Sequence, residues 1–159
     1  MRQGQQRPAP LRSRSLKEAW GKMKRFDIIE HTADTGIIAY GADLKEAFAN
    51  AAYAMFDLIA DLEAVREDVC RQIEVEAEDR ESLVISWLNE LLYIFDVERT
   101  VFRRFDILQL GETSLKAECY GEPVNQWRHG LKAGVKAATY HMLKIEKGNG
   151  YSIQVILDT

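Results

Sequence analysis

The chain has 159 residues, 47% hydrophobic and 29% charged, a balance that suits one compact domain with a real core. No apolar run is long enough for a membrane-spanning helix, which excludes that class. The net charge of −4 is unevenly spread. Residues 1–22 hold six basic side chains against one acidic, and the remainder carries −9, which disfavours an unaided grip on a phosphate backbone.

Residues 1–22, rich in Arg, Gln, Ser and Pro, lack apolar periodicity and read as a disordered basic tail. The folded domain is expected to run from Met23 to Thr159. The tail has the Arg and Ser of an organellar address but only a modest apolar patch, and no secretory signal is evident. Cys70 and Cys119 lack metal-ligand spacing, so two reduced, packed thiols in a cytoplasmic protein are expected.

Residues 25–30 and 36–41 are β-rich runs, with a turn or bulge in His31-Thr32-Ala33-Asp34-Thr35 between them. Asp43 is placed to cap a helix, with Glu46 three residues on and Leu44, Phe48, Ala52, Met55 and Ile59 at helical spacing. Residues 70–77 alternate, Ile73, Val75 and Ala77 against Gln72, Glu74 and Glu76, as in a half-buried strand. A second helix is predicted from about Asp79. Its stripe of Val84, Trp87, Leu88, Leu91, Leu92 and Phe95 is broad enough to pack across a sheet.

Strands at 101–110 and 114–120 are joined through Gly111-Glu112-Thr113. The Val, Thr and Tyr content of 135–147 favours a strand, with Thr139 and His141 on one face and Lys136, Tyr140 and Lys144 on the other. Gly148-Asn149-Gly150 turns the chain into 151–157, whose Tyr151, Ile153, Val155 and Leu157 face one way and leave Asp158 on the opposite, polar side. The sum is a single α+β domain, a mostly antiparallel sheet with two main helices packed against it.

Common catalytic signatures are missing. There is no Gly-rich phosphate loop, nucleophile elbow, paired-cysteine zinc site or HExxH. Three polar segments stand out instead. For 30–36, a turn bonded to its own backbone competes with metal binding. For Gly121 to His129 and for 135–141, a solvated loop and satisfied sheet positions compete with a site. Asp158 reads equally as a solvated terminus.

Together these segments carry a resemblance. His31-Thr32-Ala33-Asp34, Trp87-Leu88-Asn89-Glu90-Leu91-Leu92-Tyr93, Gly121-Glu122 with Arg128-His129, Val135-Lys136-Ala137 through Thr139-Tyr140-His141, and the apolar strand ending in Asp158 resemble archease, in order from Met23 to Thr159. The resemblance implies an accessory protein that activates a GTP-dependent RNA ligase in tRNA splicing, promoting guanylylation of the ligase and its multiple turnover. Some members are linked instead to a tRNA methyltransferase, as a chaperone. It also implies a divalent cation, calcium foremost with magnesium or manganese as alternatives, held by Asp34 and Asp158 with the Thr159 carbonyl as third ligand. Such hard oxygen donors suit these ions and disfavour zinc. His31, His129, Lys136 and His141 match the pattern as partner-contact or site-support residues, although a buried, hydrogen-bonded histidine also explains His129 or His141. Asn125 and Gly134 depart from it, since the family pattern leads one to expect Asp and Glu there. The implied partner is the ligase, with no stable direct nucleic-acid binding. A metal-dependent hydrolase or nucleotidyl transferase, in which Asp34 and Asp158 activate water with His31 or His141 as base, is the enzymatic alternative.

Overall fold

A computed structural model describes residues 24–30, 34–132 and 134–159. The expected tail, the boundary at Met23, and His31 lie outside them. The elements run β1 (Phe26–Glu30), β2 (Thr35–Gly41), α1 (Leu44–Ile59), a short 3-10 turn (Leu62–Ala64), β3 (Val69–Glu76), α2 (Arg80–Glu98), β4 (Thr100–Leu110), β5 (Ser114–Pro123), α3 (Gln126–His129), β6 (Ala137–Lys147) and β7 (Tyr151–Asp158). The α+β class and the antiparallel pairing agree with the sequence. The strands divide into two sheets, however, ordered β1-β2-β7-β6 and β3-β5-β4.

Both long helices start where the sequence places them. The Asp43 carboxylate accepts the Glu46 N–H at 2.8 Å, and the Asp79 carboxylate accepts the Ser82 N–H at 2.8 Å. Each thereby satisfies one of the amides that a helix start leaves without a partner. α1 packs on β2 and β7 of the first sheet and on β4 of the second, while α2 reaches β6 of the first and β3 of the second. Contact with both sheets explains why burial runs around the helices. Leu83, Ile85 and Ile94 are buried along with the expected α2 stripe, whose Phe95 is only partly covered, and in α1 Ala47, Ala51 and Ala54 join Phe48, Ala52, Met55 and Ile59. Small side chains in α1 let both sheets approach it closely.

The core centres on Phe56, whose ring meets Phe95, Phe102 and Phe105 at centroid distances of 5.7–6.2 Å. Trp87 is fully buried, and its indole N–H donates to the Phe48 carbonyl at 3.0 Å, so burial leaves no polar atom stranded. At Gly121, β4 and β5 approach so closely that a Cβ would stand 1.8 Å from the Val101 carbonyl oxygen. Cys119 is buried and burial pushes its thiol pKa up. Cys70 is exposed, so only one of the two thiols is packed as expected.

β6 departs from its expected alternation. Thr139 pairs with Ile156 and Lys144 with Gln154, so four residues of β6 stand against one of β7. Met142 adopts a left-handed φ of 55° in this bulge, and its carbonyl accepts the Gln154 side-chain amide at 2.9 Å. A bulge of this size reorients the residues after Thr139, so the two-face assignment of Thr139, Tyr140, His141 and Lys144 does not hold. The face of β7 that bears Asp158 is also less polar than expected, because Ile156 is only 1% exposed there.

Candidate functional site

The sheet register brings the two ends of the domain together. β2 and β7 are antiparallel neighbours, and their pairing ends at Thr35 and Leu157. Asp34 directly precedes the one and Asp158 directly follows the other, so both aspartates stand at the same end of the first sheet. Asp34 is partly exposed, and Asp158 and Thr159 are exposed.

β6 adds Lys136 to the same end. Ala137 pairs with Asp158, and the Lys136 N–H donates to the Asp158 carbonyl at 2.7 Å. The start of β6 is held from its other edge by α2. There the Asn89 side chain accepts the Ala138 N–H at 2.8 Å and donates to the Ala138 carbonyl at 3.5 Å. One amide side chain thus serves both polar groups of an edge-strand residue, much as a further strand would.

Among the described residues, neither the Asp34 nor the Asp158 carboxylate has a hydrogen-bonding or ion-pair partner. Carboxylate oxygens without a partner among the described residues would suit a hard cation. Among the same residues, no three His, Cys, Asp or Glu side chains gather into a metal-holding group. Backbone oxygen, water or a partner's groups would have to complete any coordination shell at Asp34 and Asp158.

The segment between β5 and β6 holds a second, buried arrangement. Glu122 is 4% exposed and His129 is 0% exposed. The Arg128 guanidinium donates to both Glu122 carboxylate oxygens at 2.8 Å, a bidentate pair. The Arg66 N–H adds a third bond to Glu122 at 2.8 Å. The His129 tautomer follows from its partners. Nδ1 accepts the Asn125 N–H at 2.9 Å, so the proton sits on Nε2 and is donated to Glu122 at 2.7 Å. Burial alone would raise the Glu122 pKa, but the Arg66 N–H, the His129 ring and the Arg128 charge together hold it below the ordinary glutamate value.

His129 is therefore a buried histidine bonded at both ring nitrogens, with no exposed surface to offer a partner. The solvated loop that competed for residues 121–129 is absent, since β5 continues to Pro123 and α3 follows. Glu122 and Arg128 belong to the motif residues of the sequence, but their mutual pairing is visible only in the fold. After α3, the Lys132 N–H donates to the Ile59 carbonyl at 2.7 Å and its ammonium to the Asp57 carbonyl at 3.1 Å. A positive charge thus meets the C-terminal end of α1, where the helix dipole favours it. α1 returns over β2, so this is the end of the fold that carries Asp34, and the chain then passes to Lys136 and Asp158. His141 lies in the β6 bulge and is exposed.

Comparisons with known proteins agree with this fold. The model of the archease protein family matches residues 26–159. The archease of Methanosarcina acetivorans is 41% identical over 140 residues, covering 85% of this chain and 96% of its own length. That of Pyrococcus abyssi is 47% identical over 129 residues, covering 79% and 90%. The solution structure of a Methanobacterium thermoautotrophicum protein superposes with a TM-score of 0.74 at 36% identity, over 86% of this chain and 100% of that one. A crystal structure of an archease and possible chaperone from Thermotoga maritima shares the fold, with a TM-score of 0.60 at 22% identity over 82% and 94%. With its family match spanning both sheets, the buried Glu122 network and the terminal aspartate, the chain belongs to the archease family.

Proposed function

We propose that this protein is a metal-binding accessory factor that activates a GTP-dependent RNA ligase in tRNA splicing, promoting its guanylylation and multiple turnover. The observation that supports the reading is the β2–β7 register, whose last pair, Thr35 with Leu157, adjoins Asp34 and Asp158, neither of which has a carboxylate partner among the described residues. Asp34, Asp158 and the Thr159 carbonyl would hold the cation, calcium foremost, with magnesium or manganese also suited to oxygen donors. A bound divalent ion supplies concentrated positive charge, and with so few protein ligands it keeps positions open for water or a partner's groups. Lys136, tied through its backbone to Asp158, sits at the rim where a partner's anionic groups would approach. His31, three residues before Asp34 in the sequence, and His141, in the β6 bulge, would act as supports or partner contacts. The acidic body favours a basic docking surface on the ligase and speeds encounter with it.

The test is guanylylation of the cognate ligase with catalytic amounts of this protein. Strong stimulation by the wild type, lost in folded Asp34→Ala and Asp158→Ala, is the expected result. Full stimulation by both variants removes the proposed role of the pair. The description of the Thermotoga maritima protein as a possible chaperone favours a second reading, a chaperone for an RNA-modifying enzyme such as a tRNA methyltransferase. That reading predicts protection of an aggregating client that is unchanged in Asp34→Ala.

A further inference from the structure

α3 has four residues, too few to persist by itself. It is nevertheless fastened from every side. The Asn125 side chain accepts the Trp127 and Arg128 N–H groups at 3.0 and 2.9 Å, and Gly130 closes the turn in the left-handed region. The His129 carbonyl accepts the Asp61 N–H at 2.8 Å, and below lies the Glu122–Arg128–His129 network. On this clamped turn stands Trp127, 95% exposed, against 60% for Tyr140, the next most exposed large hydrophobic side chain among the described residues. The indole contributes little to the core, yet the backbone carrying it is among the most firmly bonded stretches outside the long elements.

Resting on the reading above, we infer that Trp127 is a preorganised anchor that seats in an apolar pocket, edged by carboxylates, on the ligase. Three observations favour that occupant. A rigidly presented indole offers a large contact area with little ordering entropy left to lose, and tryptophan is prominent among residues that dominate protein interfaces. The exposed Arg66 rises beside the same network, and among the described residues it has no acidic partner, so a carboxylate on the pocket rim would complement it. The chain leaving α3 leads across the end of α1 to Lys136 and Asp158, so an anchored Trp127 would bring the carboxylate pair to the same partner. A stacked RNA base is the less favoured occupant, because the body from Met23 onward carries −9.

The experiment compares the full-length wild type with Trp127→Ala, Trp127→Phe and Leu108→Ala for affinity to immobilised ligase and for the concentration giving half-maximal guanylylation. Leu108 is 48% exposed on β4, near the start of α1 and so at the other end of the fold. Trp127→Ala is expected to bind about tenfold or more weakly and Trp127→Phe to fall between, with Leu108→Ala like wild type. Since Trp127 is so exposed, the unfolding midpoint should not move, which separates lost binding from lost fold. Stimulation and affinity of Trp127→Ala within about twofold of wild type would overturn the anchor while leaving the activator reading intact. So would an RNA gel shift that Trp127→Ala alone abolishes with ligase affinity unchanged. A wild type that neither binds nor stimulates the ligase would defeat the activator reading, and the anchor with it.

Discussion

Replacing Glu122 by alanine tests whether the buried network holds the β5–β6 connection in place. The substitution strands three donors: the Arg66 N–H, the enclosed His129 Nε2–H and the Arg128 guanidinium. The backbone donor loses a charge-assisted bond of about 1.5 kcal/mol. The histidine, at 0% exposure, has no water to turn to and costs about 1–3 kcal/mol. Arg128 has a third of its side chain in solvent, so its share is small. Together the loss is about 3 kcal/mol, at the low end of the cost of breaking a buried ion pair. For a domain of this size that corresponds to a fall of roughly 6–12 °C in Tm.

Urea unfolding at several pH values is the assay. Because the folded-state pKa of Glu122 is lowered, its stabilisation is fully present above the unfolded-state value of about 4.3 and is lost as pH falls through the lower folded-state value. The gap between wild type and variant should therefore be full at neutral pH and close in acid below about pH 4. A destabilisation under about 1 kcal/mol at neutral pH, or a gap that persists unchanged into acid, would refute the reasoning.

Two further substitutions probe how the site is positioned. Asn89→Ala leaves both polar groups of Ala138 facing α2 without a partner and should cost about 1–3 kcal/mol in urea unfolding, with faster amide exchange at Ala138. Gly121→Ala puts a methyl group into the Val101 carbonyl and forces β4 and β5 apart. A loss of more than about 3 kcal/mol, or failure to accumulate as folded protein, is expected, and a variant as stable as wild type would mean that the strands separate there easily.

Local features were legible in the sequence because their causes are local. Asp43 caps the helix it was expected to cap, the second helix starts beside Asp79 as expected, the alternation of Ile73 and Val75 marks a real strand, and Gly111-Glu112-Thr113 does join two paired strands. Where a distant partner decides, the reading fell short. Nothing near Met142 signals a left-handed residue, since neither glycine nor asparagine stands there and the bulge is matched to β7. α3 is similarly hidden, because four residues carry too weak a helical signal and the bonds that hold it come from Glu122, Asn125 and Asp61. Trp127 did leave a trace: a large apolar residue inside a polar run, with no periodic neighbours to pack with.

By itself, then, the sequence determined the class of the fold, the starts of its two long helices, most of its strands and the family to which its motifs belong. Those depend on periodicity, capping and turn chemistry, which act within a few residues. Tertiary structure alone decided that the strands form two sheets with helices packed against both, that Glu122 closes on His129 and Arg128, and that Asp34 and Asp158 fall at the same end of one sheet. A hydrophobic face says that something covers it without saying what, and strand register between residues more than a hundred positions apart is settled only when the whole core closes.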